Sequence, residues 1–141
     1  MPRRIWEKAE RGFLSDAAGL LSLGGIALLR GYSYLPMNVN VDRAPAHFLE
    51  GLLSPPVWAA VWIAIGILCI VPIWVPRLLP LAVGVGVGLH VLWLISFMGM
   101  QISGENSRAY VSSINYYAVA FFVAWGFGRG REIAPVRIEK E

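Results

Sequence analysis

Apolar residues fall in three long unbroken stretches, and polar residues are confined to the segments between them. Residues 57–75 read VWAAVWIAIGILCIVPIWV, 78–100 read LLPLAVGVGVGLHVLWLISFMGM and 111–128 read VSSINYYAVAFFVAWGFG, and none of the three contains Asp, Glu, Lys or Arg. At ~1.5 Å rise per residue, runs of ~18–23 residues cross the ~30 Å hydrocarbon core of a bilayer as α-helices. A soluble domain of 141 residues has room in its core for one such run but not for three. A fourth stretch, residues 13–30, is apolar apart from Ser15, Asp16, Ser22 and the closing Arg30. Asp16 at mid-membrane would cost ~2.5–3.5 kcal/mol. It stands near one end instead, within reach of headgroup water, of Arg11 or of the free amides of the helix start. The pattern therefore predicts an all-α membrane protein, a single domain over 1–141. Four transmembrane helices, at about 13–30, 57–75, 78–100 and 111–128, form an antiparallel bundle, followed by a charged tail at 129–141.

The flanks add shorter elements. Ile5, Trp6, Ala9 and Phe13 recur at near-helical spacing among charged residues, which predicts an amphipathic helix lying on the membrane before the first span. In the long loop 31–56, APAHFLEGLLS places Phe48, Leu49, Leu52 and Leu53 on one face. With Asp42 or Ala44 near the cap and Pro45 in the first turn, it reads as a second interfacial helix. Ser54-Pro55-Pro56 restarts a helix, with Ser as N-cap and Pro in its first turn. Val75-Pro76-Arg77 is so short a link that the second and third spans must be antiparallel neighbours, with Pro72 and Pro80 ending or kinking them beside it. Gly104-Glu105-Asn106 marks the turn before the last span.

Charge fixes the orientation. With four crossings, Arg3, Arg4, Lys8, Arg11, Arg77, Arg129, Arg131, Arg137 and Lys140 lie on one side, nine in all, and Arg30, Arg43 and Arg108 on the other. With three crossings the split is seven to five, so the positive-inside bias favours four spans with both termini in the cytoplasm. Hydrophobic residues make up 57% of the chain and charged residues 15%, and the net charge is +3. Beside apolar spans, that charge suits anionic lipid headgroups rather than nucleic acid. Arg3, Arg4, Lys8, Arg11, Arg129 and Arg131 are the expected membrane-surface anchors. Tyr32, Tyr34, Trp58 and Tyr110 fall at the outer ends and Trp74 and Trp125 near the inner ends, as interfacial belts require, while Trp62 and Trp93 sit deeper as packing residues. Glu7, Glu10 and Asp16 interrupt the basic, apolar start, and no small-x-small cleavage site follows, so the segment reads as retained rather than as a signal peptide.

Chemistry is sparse. Small residues let helices approach in lipid, which makes Gly84 with Gly88, and Ala120 with Ala124 and Gly128, candidate helix–helix or oligomer contacts, and Ala60 with Ala64 a weaker pair. His90 is the ionisable side chain nearest the middle of a span, and Asn115 is the polar partner it could meet, with Ser96 or a backbone carbonyl across the bundle as alternatives. A neutral imidazole there could also relay protons or line a pore. His47 and Glu50 stand at i, i+3, two potential ligands without a third. Cys69 is the single cysteine, so no disulfide forms within the chain, and it reads as a small buried hydrophobe. With no catalytic motif and no carboxylate pair inside a span, the expectation is a protein that is not an enzyme and carries no cofactor or metal.

The layout from AERGFLSDAAGLL through RGYSYLP to PAHFLEGLLSPPVWAAVW, followed by two tightly linked spans and a charged tail, resembles small multi-span membrane proteins of actinobacteriophages, including holin-like proteins. The resemblance implies a protein that accumulates in the host cytoplasmic membrane and self-associates into lesions that release a cell-wall-degrading enzyme. A non-enzymatic scaffold, exclusion factor or subunit binding a membrane-protein partner, and a small channel or transporter using His90, are the other readings the sequence allows.

Overall fold

A computed structural model describes residues 16–40, 42–105 and 108–129. The described residues are mostly helical and contain no strand. Four helices carry the fold: α1 Asp16–Ser33, α2 Pro55–Ile70, α3 Leu79–Ser103 and α4 Ala109–Arg129. Three single turns of 3₁₀ helix join them, Phe48–Leu52 in the long loop, and Val71–Ile73 and Pro76–Leu78 between α2 and α3. The helices lie where the apolar stretches place them, each end within a few residues. The amphipathic N-terminal helix, its anchors Arg3, Arg4, Lys8 and Arg11, and the tail with Arg131 lie outside the described residues.

Two of the four helices are long and apolar enough to cross a membrane. They are α2 with its 3₁₀ extension, Pro55–Ile73, and α3 with the preceding turn, Pro76–Ser103. The other two are more polar at their ends, with Asp16 and Arg30 closing α1 and Ser112, Ser113 and Asn115 in the first turns of α4.

Contacts between the helices fix their directions. Gly24 lies against Gly66 and Gly31 against Ala59, so α1 and α2 are antiparallel. Trp62 meets His90 and Trp58 meets Trp93, which sets α2 against α3 in the same sense. Phe97 stacks on Tyr116 while Tyr110 donates its backbone N–H to the side chain of Gln101, so α4 returns along α3. Gly19 beside Phe127 and Arg30 over Tyr116 close the ring between α4 and α1.

Local sequence explains the turns. Gly104 ends α3 in the left-handed region, at φ 76°, a conformation that costs glycine nothing. Ser54 is the N-cap of α2, as expected, but its side chain makes no capping bond; its carbonyl accepts from Val57 and Trp58, and prolines fill the first turn. Proline also stands within the first two positions of both 3₁₀ turns between α2 and α3, Pro72 and Pro76, where its missing N–H leaves no broken bond.

The closest helix approach is not at the glycines singled out by spacing. A Cβ on Gly24 would stand 2.8 Å from the Gly66 carbonyl oxygen, and one on Gly31 3.0 Å from that of Ala59, so α1 and α2 touch backbone to backbone. On α3 the buried glycine is Gly86, where a Cβ would meet Leu23 at 2.8 Å and the Cys69 sulfur at 2.9 Å. Cys69 itself is fully buried, its thiol directed at the Ala82 carbonyl.

Candidate functional site

The described residues with the densest polar chemistry form a strap across the end of the bundle where α1 stops and α2 starts. After α1 the chain turns on itself: Asn38 donates its side-chain amide to the Tyr32 carbonyl at 2.8 Å, and Asp42 its backbone N–H to the Asn40 side chain at 3.0 Å. Residues 43–50 then fold back over the helix ends. Instead of the interfacial helix capped at Asp42 or Ala44, the segment makes one 3₁₀ turn, with His47 at its N-cap accepting the Glu50 N–H. The turn is short because His47 and Glu50 point inward and commit the backbone to contacts that a longer helix would break.

Glu50 is the centre of the strap. Its side chain is 3% exposed, and both guanidinium nitrogens of Arg43 and the backbone N–H of Ala46 donate to its carboxylate. The Tyr34 hydroxyl approaches the same carboxylate, and the Glu50 carbonyl accepts the Trp58 indole N–H at 3.1 Å. Burial pulls the Glu50 carboxyl upward, but the Ala46 amide, Arg43 and Tyr34 together outweigh it and hold the group below its ordinary range. Burial, with the Glu50 charge beside it, pushes the Tyr34 hydroxyl well above its ordinary value.

His47 ties the strap to α3. Ser96 Oγ lies 2.8 Å from His47 Nδ1 and accepts the Leu49 N–H at 2.9 Å. A hydroxyl that accepts from Leu49 has its proton free for the imidazole, and the Glu50 N–H also points at Nδ1, 3.4 Å away. Nδ1 is therefore assigned as an acceptor and the ring is neutral with its proton on Nε2. Burial pushes His47 down to about 4, with Arg30 and Arg43 acting in the same direction and Glu50 against it.

Beneath the strap lies an aromatic core. Trp93 is at its centre, with ring centroids 4.5 Å from Trp58, 5.1 Å from Trp62 and 5.3 Å from His47, all at steep angles. The N–H groups of Trp62 and Trp93 and Nε2 of His47 are buried without a hydrogen-bond partner. Edge-to-face stacking accounts for much of their tolerance, since ring edges there meet π faces. Tyr34 and Trp58, placed in an interfacial belt by the sequence, belong to this core at 6% exposure each, whereas Tyr32, Tyr110, Trp74 and Trp125 are exposed as a belt requires. Trp62 and Trp93 are fully buried packing residues, as their depth in the sequence suggested.

The two polar residues that the sequence places within spans, His90 and Asn115, separate. His90 is buried, and its Nδ1 lies 2.8 Å from the Gly86 carbonyl one turn back on its own helix, not across the bundle. Its ring contacts Trp62 and Tyr116. Asn115 is exposed on α4 and does not meet it. Of the small residues, Ala120 is buried within the chain, while Ala124 is exposed and Gly84, Gly88 and Gly128 have open space where a Cβ would stand. They are not contacts inside this chain. Gly84 and Gly128 instead line one groove with Asp16, Pro80 and Phe127, of about 440 Å³, at the end of the bundle opposite the strap. Ala60 and Ala64 are likewise exposed.

Comparison with protein-family models, curated proteins and solved structures finds no match to this chain. Function must be read from the geometry.

That geometry uses His47 and Glu50 as structural anchors. No three metal-ligating side chains come together among the described residues, and each of the two is already bonded to a neighbour in the strap or on α3. Sequence reasoning offered Ser96 to His90 rather than to His47, and did not pair Arg43 with Glu50. The available signal was a lone hydroxyl, Ser96, in an otherwise apolar run, and two buried-type ligands in a loop that had to find polar partners somewhere.

Proposed function

We propose that this chain is a holin-like integral membrane protein, which crosses the bacterial cytoplasmic membrane four times with both termini inside and self-associates there to permeabilise it. One observation carries the membrane placement. Only 33% and 28% of the two span-capable stretches are buried, and the sides left open are apolar. In water that exposure would drive aggregation; a core helix of a soluble protein hides most of its surface. Large apolar side chains stand open on all four helices, including Leu29, Ile67, Ile95 and Phe122 at 53–70% exposure. The charge distribution supports the orientation, and the uncovered Gly84, Gly88, Ala124 and Gly128 support contact between copies, since small residues without partners inside the chain are where helices approach in lipid.

Inducible expression in a bacterial host, followed with a potential-sensitive dye, tests the reading: abrupt loss of membrane potential is the expected result, and sustained growth with the protein abundant in the membrane rejects it. The exposed Phe48, Leu52 and Leu53 at the rim of the strap favour a second reading, a non-lytic subunit that binds a membrane-protein partner through its loop. Co-purification of one stable heterologous partner, with no permeability change, would select it. A channel using His90 requires that His90→Phe abolish transport.

A further inference from the structure

We propose that residues 43–50 are a latch that holds the strapped end of the bundle closed, and that neutralising the Glu50 carboxylate releases it. The argument rests on where the bonds go. The strap has little apolar anchorage of its own: Phe48 points outward, and only the half-buried Leu49 and the ring of His47, against Trp93 and Phe97, reach the core. It is held by a small set of polar bonds: Arg43 and the Ala46 amide on the Glu50 carboxylate, the Glu50 carbonyl on Trp58 of α2, and His47 and the Leu49 amide on Ser96 of α3. One segment therefore ties together the ends of α2 and α3, and through Tyr34 the end of α1. These are the helix ends that must part if the bundle is to open from this side.

The set fails together. A protonated Glu50 cannot accept from Arg43, Ala46 and Tyr34 at once, and it leaves a guanidinium without its counter-charge. The groups facing Glu50 are Arg43 and His47 on the strap, Tyr34 after α1, the indole of Trp58 on α2 and, at longer range, Tyr116 on α4. None can replace the lost charge, because the other charged groups are cations, Arg43 itself and, acting on His47 and Tyr116, Arg30 of α1, and the tyrosines are donors. Protonation of His47 acts in the same direction, since its Nδ1 accepts from Ser96 and from the Glu50 amide and would become a donor facing a donor. Acid, or any event that removes the carboxylate charge, opens the strap; the consequence for permeability rests on the pore reading above, while the opening itself does not.

The test uses the full chain in vesicles of phosphatidylethanolamine and phosphatidylglycerol loaded with a self-quenched dye. Hydrogen exchange of the amides of residues 46–50, corrected for intrinsic rates, is compared for the native chain and Glu50→Gln at pH 7.5, and for the native chain at pH 7.5 and 3.5, below the ordinary range of both Glu50 and His47. At least tenfold faster exchange at the strap in Glu50→Gln, with the mid-helix amides of α2 and α3 unchanged, together with faster dye release, is expected. Unchanged strap exchange in both comparisons overturns the latch. Strap opening without dye release from any sample upholds the latch and rejects the permeabilising function. If Glu50→Gln does not fold, the native pH comparison decides alone.

Discussion

Glu50 and His47 show how much of a residue's role depends on what it folds against. Their i, i+3 spacing is visible in the sequence, but the partners that define them, Arg43, Ser96 and Trp58, come from three different segments. The docked His47 takes no proton until about pH 4, whereas a released one takes it up near its ordinary 6.5. Docking is thus fully favourable above the ordinary value and weakens as pH falls through this window, by up to about tenfold per pH unit. Glu50 is held below its ordinary 4.5, so its share is present above that value and is lost as pH falls further. NMR titration of labelled histidine in micelles checks the sign: a His47 midpoint near 6.5 in the docked state would refute it. Glycines obey a similar contrast. Gly24→Val drives a side chain into the Gly66 carbonyl and Ile70 and should cost at least about 2 kcal/mol, read as a lowered melting temperature in detergent. Gly84→Ala meets open space and should leave monomer stability within about 1 kcal/mol of the native value.

At the level of elements, the four helices were legible because each coincides with an apolar stretch bounded by Gly, Pro or charge. Which face each helix buries was not. The stretches are apolar nearly all round, so the run Gly84-Val85-Gly86-Val87-Gly88 offers three equivalent glycines, and only the neighbours Leu23 and Cys69 select the middle one. The same loss of contrast hid Gly24, Gly31 and Gly66, which bring α1 and α2 into contact, because periodicity carries no information when both faces prefer to leave water. The strap was misread in the other direction. Phe48, Leu49, Leu52 and Leu53 have helical spacing, yet polar anchoring limits the segment to a single turn with three of the four exposed. Ser96→Ala removes the acceptor of the Leu49 amide and a partner of His47 together, and should destabilise the strap by about 1–3 kcal/mol while leaving the helices formed. Protease accessibility near Pro45, compared between the two chains, measures it.

For the molecule as a whole, the helices enclose a well-filled aromatic core near the strap and leave open glycines and a groove at the other end. A monomer of this shape is rigid where it is tied and free to associate where it is bare. Cysteines introduced at Met37 and at Trp74, in a Cys69→Ser background, should be labelled by an impermeant maleimide from opposite sides of the membrane, and labelling from one side would rule out four crossings. Gly84→Leu with Gly128→Leu should fold as a monomer yet lose self-association in light scattering and crosslinking. Persistence of the oligomer in that variant would move the contact elsewhere.

The backbone contact between α1 and α2 bears on how the protein is made. α1 carries Asp16 and Arg30 and is the segment poorest at partitioning into lipid alone, while α2 enters readily. On the four-span topology proposed above, the close backbone approach at Gly24 and Gly66 would let the second helix recruit the first as it leaves the ribosome, so that the pair inserts as a hairpin rather than one segment at a time. A ribosome stalled before Pro55 should then hold a nascent chain whose first segment is still extractable by alkali.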